Sequence, residues 1–225
     1  MKKKLPFFNL ASVWRGGRIG MIVWGMMMGL LAVPIAAWGQ HTVSSWTAST
    51  ITLQTSDDLT RFRDYVNGIN GYGPRTFSGQ TIRIAPISGN TINWANSGNY
   101  IGGKINGTNR YFEGNFDGQG YIVSFSSISA SSTDYVGFFG LTRNAIIKNL
   151  TVTGSYIDGK SNVGGLIGEA QGTLTIDNVH IKLTSVSDIY GGHWGGLVGQ
   201  IWSKNTANIF NSSTIFTNWI CLKIA

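Results

Sequence analysis

The chain has little of what side-chain chemistry usually requires. Its 225 residues include one cysteine, three histidines and ten acids, and only 12% are charged. The lone Cys221 has no partner within the chain, so no intramolecular disulfide supports the fold. His41, His180 and His193 stand far apart in sequence. No His-Glu-x-x-His string places two imidazoles and a glutamate on one helix face, which excludes zinc-protease chemistry of that type. No glycine pair is followed by the lysine or the helix that would cradle a phosphate. No metal or cofactor is expected from this inventory.

The basic surplus is also thin. The formal charge is +7, yet Lys2, Lys3, Lys4, Arg15 and Arg18 fall in the first 39 residues, which hold no acid. The remainder is close to balance and carries no basic stripe, so nucleic acid is not an expected partner.

What the chain does have is glycine, 31 residues of it, with serine, threonine and asparagine at the polar positions. This mix is poor in helix formers and rich in turn formers and β-branched residues, and it points to an all-β chain. Residues 1–39 have the form of a signal peptide. A basic start leads to an apolar run over 19–37 and to Ala37-Trp38-Gly39, with cleavage expected before Gln40. An uncleaved anchor is the alternative, and the only route by which a membrane would be a partner.

Residues 40–70 read as a leading strand and a helical cap. Ser56-Asp57-Asp58 opens the helix, Leu59, Phe62, Tyr65 and Val66 share a face, and Gly68 stops it. Residues 71–215 read as a solenoid. A glycine-bracketed apolar pair returns at Gly137-Phe138-Phe139-Gly140, Gly165-Leu166-Ile167-Gly168 and Gly196-Leu197-Val198-Gly199, at periods of 28 and then 31 residues. Each copy is followed by a short strand with an asparagine, at Asn149, Asn178 and Asn211. Two landmarks kept in phase mark a stacked repeat of about four rungs. Stacking places Ile147, Ile176 and Ile209 in one column, Leu150 and Val179 in another, and the three asparagines in a structural ladder. Ser124 stands where the first, degenerate rung would carry its asparagine. The tail 216–225 matches no landmark and suggests a truncated or frameshifted reading frame.

These residues resemble the GLUG-motif repeat of bacterial surface and secreted proteins, also found in non-catalytic regions of IgA-specific metallopeptidases. The resemblance covers roughly residues 50–215. It rests on the order of parts: the helix 59–66, Trp94, the stretch Phe112–Gly120 and the three glycine motifs. Phe138-Phe139 is bulkier than the usual Leu-Val of that repeat. The resemblance implies a right-handed parallel β-helix at or outside the cell surface, and it implies no reaction.

Binding and catalysis remain to be weighed. Solenoids expose long faces on which aromatic rings can stack on sugars, and Trp94, Tyr190 and Trp202 are the ligand-binding candidates. An extracellular glycan or a host or surface protein is the expected partner. The enzymatic alternative is a polysaccharide lyase or glycoside hydrolase, or a fragment of a larger surface protein. It requires converging carboxylates, and no catalytic residue is identified. Glu113 and Asp117 are near enough in sequence to share a cation, but Asp117-Gly118 is better read as a turn.

Overall fold

The computed structural model describes residues 42–94, 100–188, 192–202 and 204–217. In chain order the elements are β1 (Thr50–Leu53), α1 (Ser56–Asn67), β2 (Thr81–Ile84), β3 (Thr91–Trp94), β4 (Gly103–Ile105), β5 (Thr108–Arg110), β6 (Asn115–Asp117), β7 (Ile122–Phe125) and β8 (Ser127–Val136). There follow β9 (Phe139–Arg143), β10 (Ile146–Gly164), β11 (Ile167–Gln171), β12 (Thr173–Asp188), β13 (Trp194–Gly195), β14 (Val198–Ile201), β15 (Thr206–Phe210) and β16 (Ser213–Phe216). The signal peptide expected over 1–39, together with His41, Tyr190 and Cys221, lies outside the described residues.

One ladder runs β1-β2-β6-β10-β12-β15, and a second, on another wall, runs β9-β11-β14. Both are parallel, as are the other wall pairings; among the described residues the antiparallel exception is the hairpin β4–β5. The result is a parallel β-solenoid of about five turns. The repeats suggest about four because the early strands β1 and β2 carry no repeat landmark. Ile51, Ile82, Phe116, Ile147, Ile176 and Ile209 stand above one another. The first five are buried. Each such side chain contributes roughly 1.5–3 kcal/mol through its removal from water.

The helix belongs to the first turn. Thr55 caps it: its hydroxyl accepts from the Asp58 amide at 3.1 Å, while the Asp58 carboxylate accepts from the Thr55 amide at 3.0 Å. The same buried carboxylate also takes the Thr42 and Val43 amides, the Thr42 hydroxyl and the Gln54 amide. It ties the leading segment to the helix start. Gly68 ends the helix at φ 66°. The apolar face of α1 buries Phe62 against Phe77, Phe112 and Phe116, with ring centroids 5.0 to 6.0 Å apart. Phe138 and Phe139 complete this aromatic plug, Phe139 stacking on Phe112 at 5.2 Å. The bulky pair thus fills the interior beside the helix, where later rungs carry Leu-Ile and Leu-Val.

Gly140, Gly168 and Gly199 align through the β9-β11-β14 register. Their requirement is steric rather than conformational, since none has a positive φ. A Cβ on Gly140 would lie 2.5 Å from the Tyr135 carbonyl oxygen, and one on Gly168 2.5 Å from the Val136 nitrogen. The backbone of the neighbouring wall occupies the space a methyl would need.

The corner asparagines do adopt the left-handed conformation, at φ 52°, 54° and 48° for Asn149, Asn178 and Asn211. The Asn178 amide donates to the Asn149 carbonyl at 3.1 Å, and the Asn149 amide donates to Asp117 at 3.1 Å. Asn211 instead donates to Asp177, again at 3.1 Å. Ser124 does not occupy this column. It pairs with Thr153, and residues 117–120 lie beneath Asn149, with the Gly120 amide donating to the Asn149 carbonyl. The insertion that separates β6 from β7 has a different length from its later counterparts, so counting back from Asn149 misses the phase.

Candidate ligand-binding face

The second wall carries the most varied exposed chemistry. Three residues after Gly140, Gly168 and Gly199 come Arg143, Gln171 and Trp202. Arg143 pairs in register with Gln171, and the Trp202 amide reaches the Ala170 carbonyl at 3.4 Å. One turn below Arg143, the isolated bridge from Phe112 to Thr142 brings Tyr111 and Glu113 alongside. The Arg143 guanidinium lies 4.6 Å from the centre of the Tyr111 ring and donates through Nε to Glu113 at 2.7 Å. Tyr111, Arg143, Gln171 and Trp202 therefore follow the solenoid axis as a polar and aromatic ribbon, spaced by about 4.8 Å per rung.

A buried polar layer fixes this ribbon from behind. Glu169 is only 2% exposed, and its two oxygens accept from Gln171 and Asn162, each at 3.0 Å. Asn162, itself left-handed at φ 54°, also donates to Gln200 at 2.6 Å and pairs with His193 at 3.2 Å. Tyr135 lies against the same layer. Burial pushes its hydroxyl pKa up, and the negative charges of Glu169 and Asp134 push it further. Such a network holds its side chains in one arrangement, because every broken bond leaves a buried polar atom without a partner.

Glu113, Asp117 and Asp134 are dispersed, and each is engaged by a basic partner. Glu113 meets Arg143, Asp117 meets Lys148 at 3.5 Å, and Asp134 lies 3.9 and 3.8 Å from Lys104 and Lys160. Glu113 and Asp117 thus turn to separate basic partners. Among the described residues, no group of three or more His, Cys, Asp or Glu is gathered as a metal site would need.

Of the residues singled out from sequence, Trp202 is exposed and stands on the ribbon. Trp94 is not a surface platform. It is fully buried, its indole N–H donates to the Thr60 hydroxyl at 3.1 Å, and it packs edge-on to Phe138. It shares the inward side of β3 with Ile92, two residues away. Tyr190 lies outside the described residues. Arg143, Gln171 and the Glu169–Asn162 layer were missed. Reading the third position after each paired glycine would have found the first two.

The chain is similar to parts of three much longer proteins. It is 32% identical to halomucin of Haloquadratum walsbyi over 55% of this chain and 1% of that protein. It is 34% identical to a protein described as a Gly-rich membrane protein of Evansella cellulosilytica, over 44% of this chain and 15% of that one. An immunoglobulin A1 protease of Streptococcus sanguinis is 28% identical over 69% of this chain and 7% of the protease. The chain thus spans a small fraction of each relative. No family model matches it. No solved structure matches it either.

Proposed function

We propose that this chain is an exported, non-enzymatic surface module of the GLUG-repeat type, and that its polar and aromatic ribbon binds glycan. The observation that carries this reading is the column Arg143, Gln171, Trp202 beside Tyr111. Two flat rings, Tyr111 and Trp202, stand at its ends with the Arg143 guanidinium and the Gln171 amide between them, groups suited to sugar stacking and hydroxyl recognition. The partial relatives, one named a mucin and another a membrane protein, support a place at the cell surface. The similarity to a fraction of an immunoglobulin A1 protease supports a module that also occurs within a larger protein.

The test is a glycan-array and host-matrix binding screen of the full chain, run beside a polysaccharide degradation assay. Binding to a defined glycan class that falls at least tenfold in Trp202→Ala and Gln171→Ala supports the reading. Binding untouched by both variants overturns the assignment of the face. Release of oligosaccharides overturns the non-enzymatic part.

A further inference from the structure

Around the lower end of the ribbon, cations stand outside the carboxylates they approach. Lys104 on β4, Lys160 on β10 and Arg143 on β9 each leave 46% of the side chain open, against 24% for Asp134 and 15% for Glu113. The Arg143 guanidinium is committed, since it donates to Glu113 and lies over Tyr111. The two lysines are not. Their Nζ atoms lie 3.9 and 3.8 Å from the two oxygens of Asp134, within ion-pair range and beyond hydrogen-bond length. Each ammonium has three donors and no acceptor. Among the described residues, neither lysine donates a hydrogen bond to the protein. Ion pairs this exposed hold weakly, so an incoming oxyanion displaces no strong contact.

Separate parts of the chain bring these groups together. The register of β8 against β10 slips between Ala130–Gly159 and Asp134–Ser161, and the extra residues of β8 set Asp134 beside the segment that holds Lys160. Lys104 belongs to the β4–β5 hairpin, where it stands directly opposite Asn109. The Asn109 amide in turn donates to the Tyr111 hydroxyl at 3.3 Å. Both elements press on β9 at Gly140: a Cβ there would lie 2.6 Å from the Gly102 carbonyl oxygen and 2.5 Å from that of Tyr135. Lys104 is two residues from Gly102 and Asp134 adjoins Tyr135. The lysine pair therefore flanks the ribbon where Tyr111 begins it.

We propose that the glycan taken by this face is an acidic one, and that Lys104 and Lys160 hold a carboxylate or sulfate of a sugar seated at Tyr111. The inference rests on the glycan-binding reading above and adds to it the charge of the ligand. Two ammoniums beside one another offer an oxyanion charge-assisted hydrogen bonds from both. Two lysines against the single, more recessed Asp134 leave a surplus of one positive charge, which draws an anion and gives a neutral sugar nothing.

Titration calorimetry of the full chain with four polymers tests it. Hyaluronan, whose acid is a carboxylate, is compared with its neutral, carboxyl-reduced form, and chondroitin sulfate with desulfated chondroitin. The expected result is binding of hyaluronan or chondroitin sulfate, at least tenfold weaker for carboxyl-reduced hyaluronan and at least tenfold weaker in Lys104→Gln/Lys160→Gln. Arg83→Gln/Lys182→Gln removes the same charge from exposed positions on the first ladder and should leave binding within twofold. Loss of binding on desulfation assigns the held group to sulfate, and unchanged binding assigns it to carboxylate; either supports the inference. Carboxyl-reduced hyaluronan bound as tightly as the acidic polymers, and still weakened by Trp202→Ala, overturns it and leaves the glycan reading standing. An acidic preference that survives in the lysine double variant also overturns it. So does a failure to bind any of the four polymers, in which case the wider glycan screen decides the parent reading by itself.

Discussion

The Asn178 side-chain amide donates to the Asn149 carbonyl oxygen across one turn of the solenoid, with both residues in the left-handed region at φ 54° and 52°. The bond is solvent-exposed, so its loss leaves no buried atom unpaired. The cost of changing Asn178 is therefore mainly conformational. Asn178→Ala should lower stability by about 1–2 kcal/mol, the penalty of a β-carbon in that region. Asn178→Gly should cost less than the alanine, although it too lacks the bond. Denaturant melts of both variants check this: an alanine variant as stable as glycine would mean that the corner tolerates either.

Asp117 makes the ladder pH-sensitive. Burial raises its carboxyl pKa, but the Asn149 amide, the Gln119 N–H and the Lys148 charge together outweigh that and hold it below the usual carboxylate range. A native pKa below the unfolded one contributes stability that is complete above about pH 4. That contribution is lost as pH falls through the native value. Stability should therefore decline in that acid window, and Asp117→Asn should decline less steeply. Thermal melts between pH 2 and pH 6 read this out. Identical slopes in the two proteins would remove Asp117 as the sensor.

The paired glycines separate packing from backbone freedom. Gly168→Ala sets a methyl against the Val136 backbone and should cost about 3 kcal/mol, the upper end for overpacking. Gly120→Ala adds its methyl in open space at φ 81° and should cost only about 1 kcal/mol. If urea melts show the two variants equal, the walls are not in fixed contact at Gly168.

The Glu169 layer should behave as a unit. Glu169→Ala leaves the Asn162 and Gln171 amides without their acceptor in a buried setting and should cost about 1–3 kcal/mol. Asn162→Ala should cost a similar amount, and the double variant should cost clearly less than the two losses added. Strict additivity in a double-mutant cycle would mean that the residues do not share a network.

Much of the architecture was legible because repetition writes it twice. Ile147, Ile176 and Ile209 align by simple offset, and Lys148, Asp177 and Phe210 fall into one column as that offset requires. The glycine motifs also align, although their spacing cannot tell a left-handed residue from a close wall contact. The early turns were harder. Ser124 was misphased because the segment between β6 and β7 keeps its own length. β1 gave no repeat landmark because the rest of its turn is α1. Trp94 resembles a surface ring in composition, yet its alternation with Ile92 sets it inward. The ribbon on the second wall stayed hidden because Arg143, Gln171 and Trp202 share no chemistry, only position. Position becomes visible once β9 and β11 are seen paired.

Because no side chain can be added at Gly140, Gly168 or Gly199, the third residue after each is delivered to the same outer site whatever its identity. Each turn therefore offers one freely chosen letter at a fixed height. A gain or loss of turns would lengthen or shorten that string in whole steps without disturbing its phase. The side chain displayed there can be changed one letter at a time, leaving the shaft untouched.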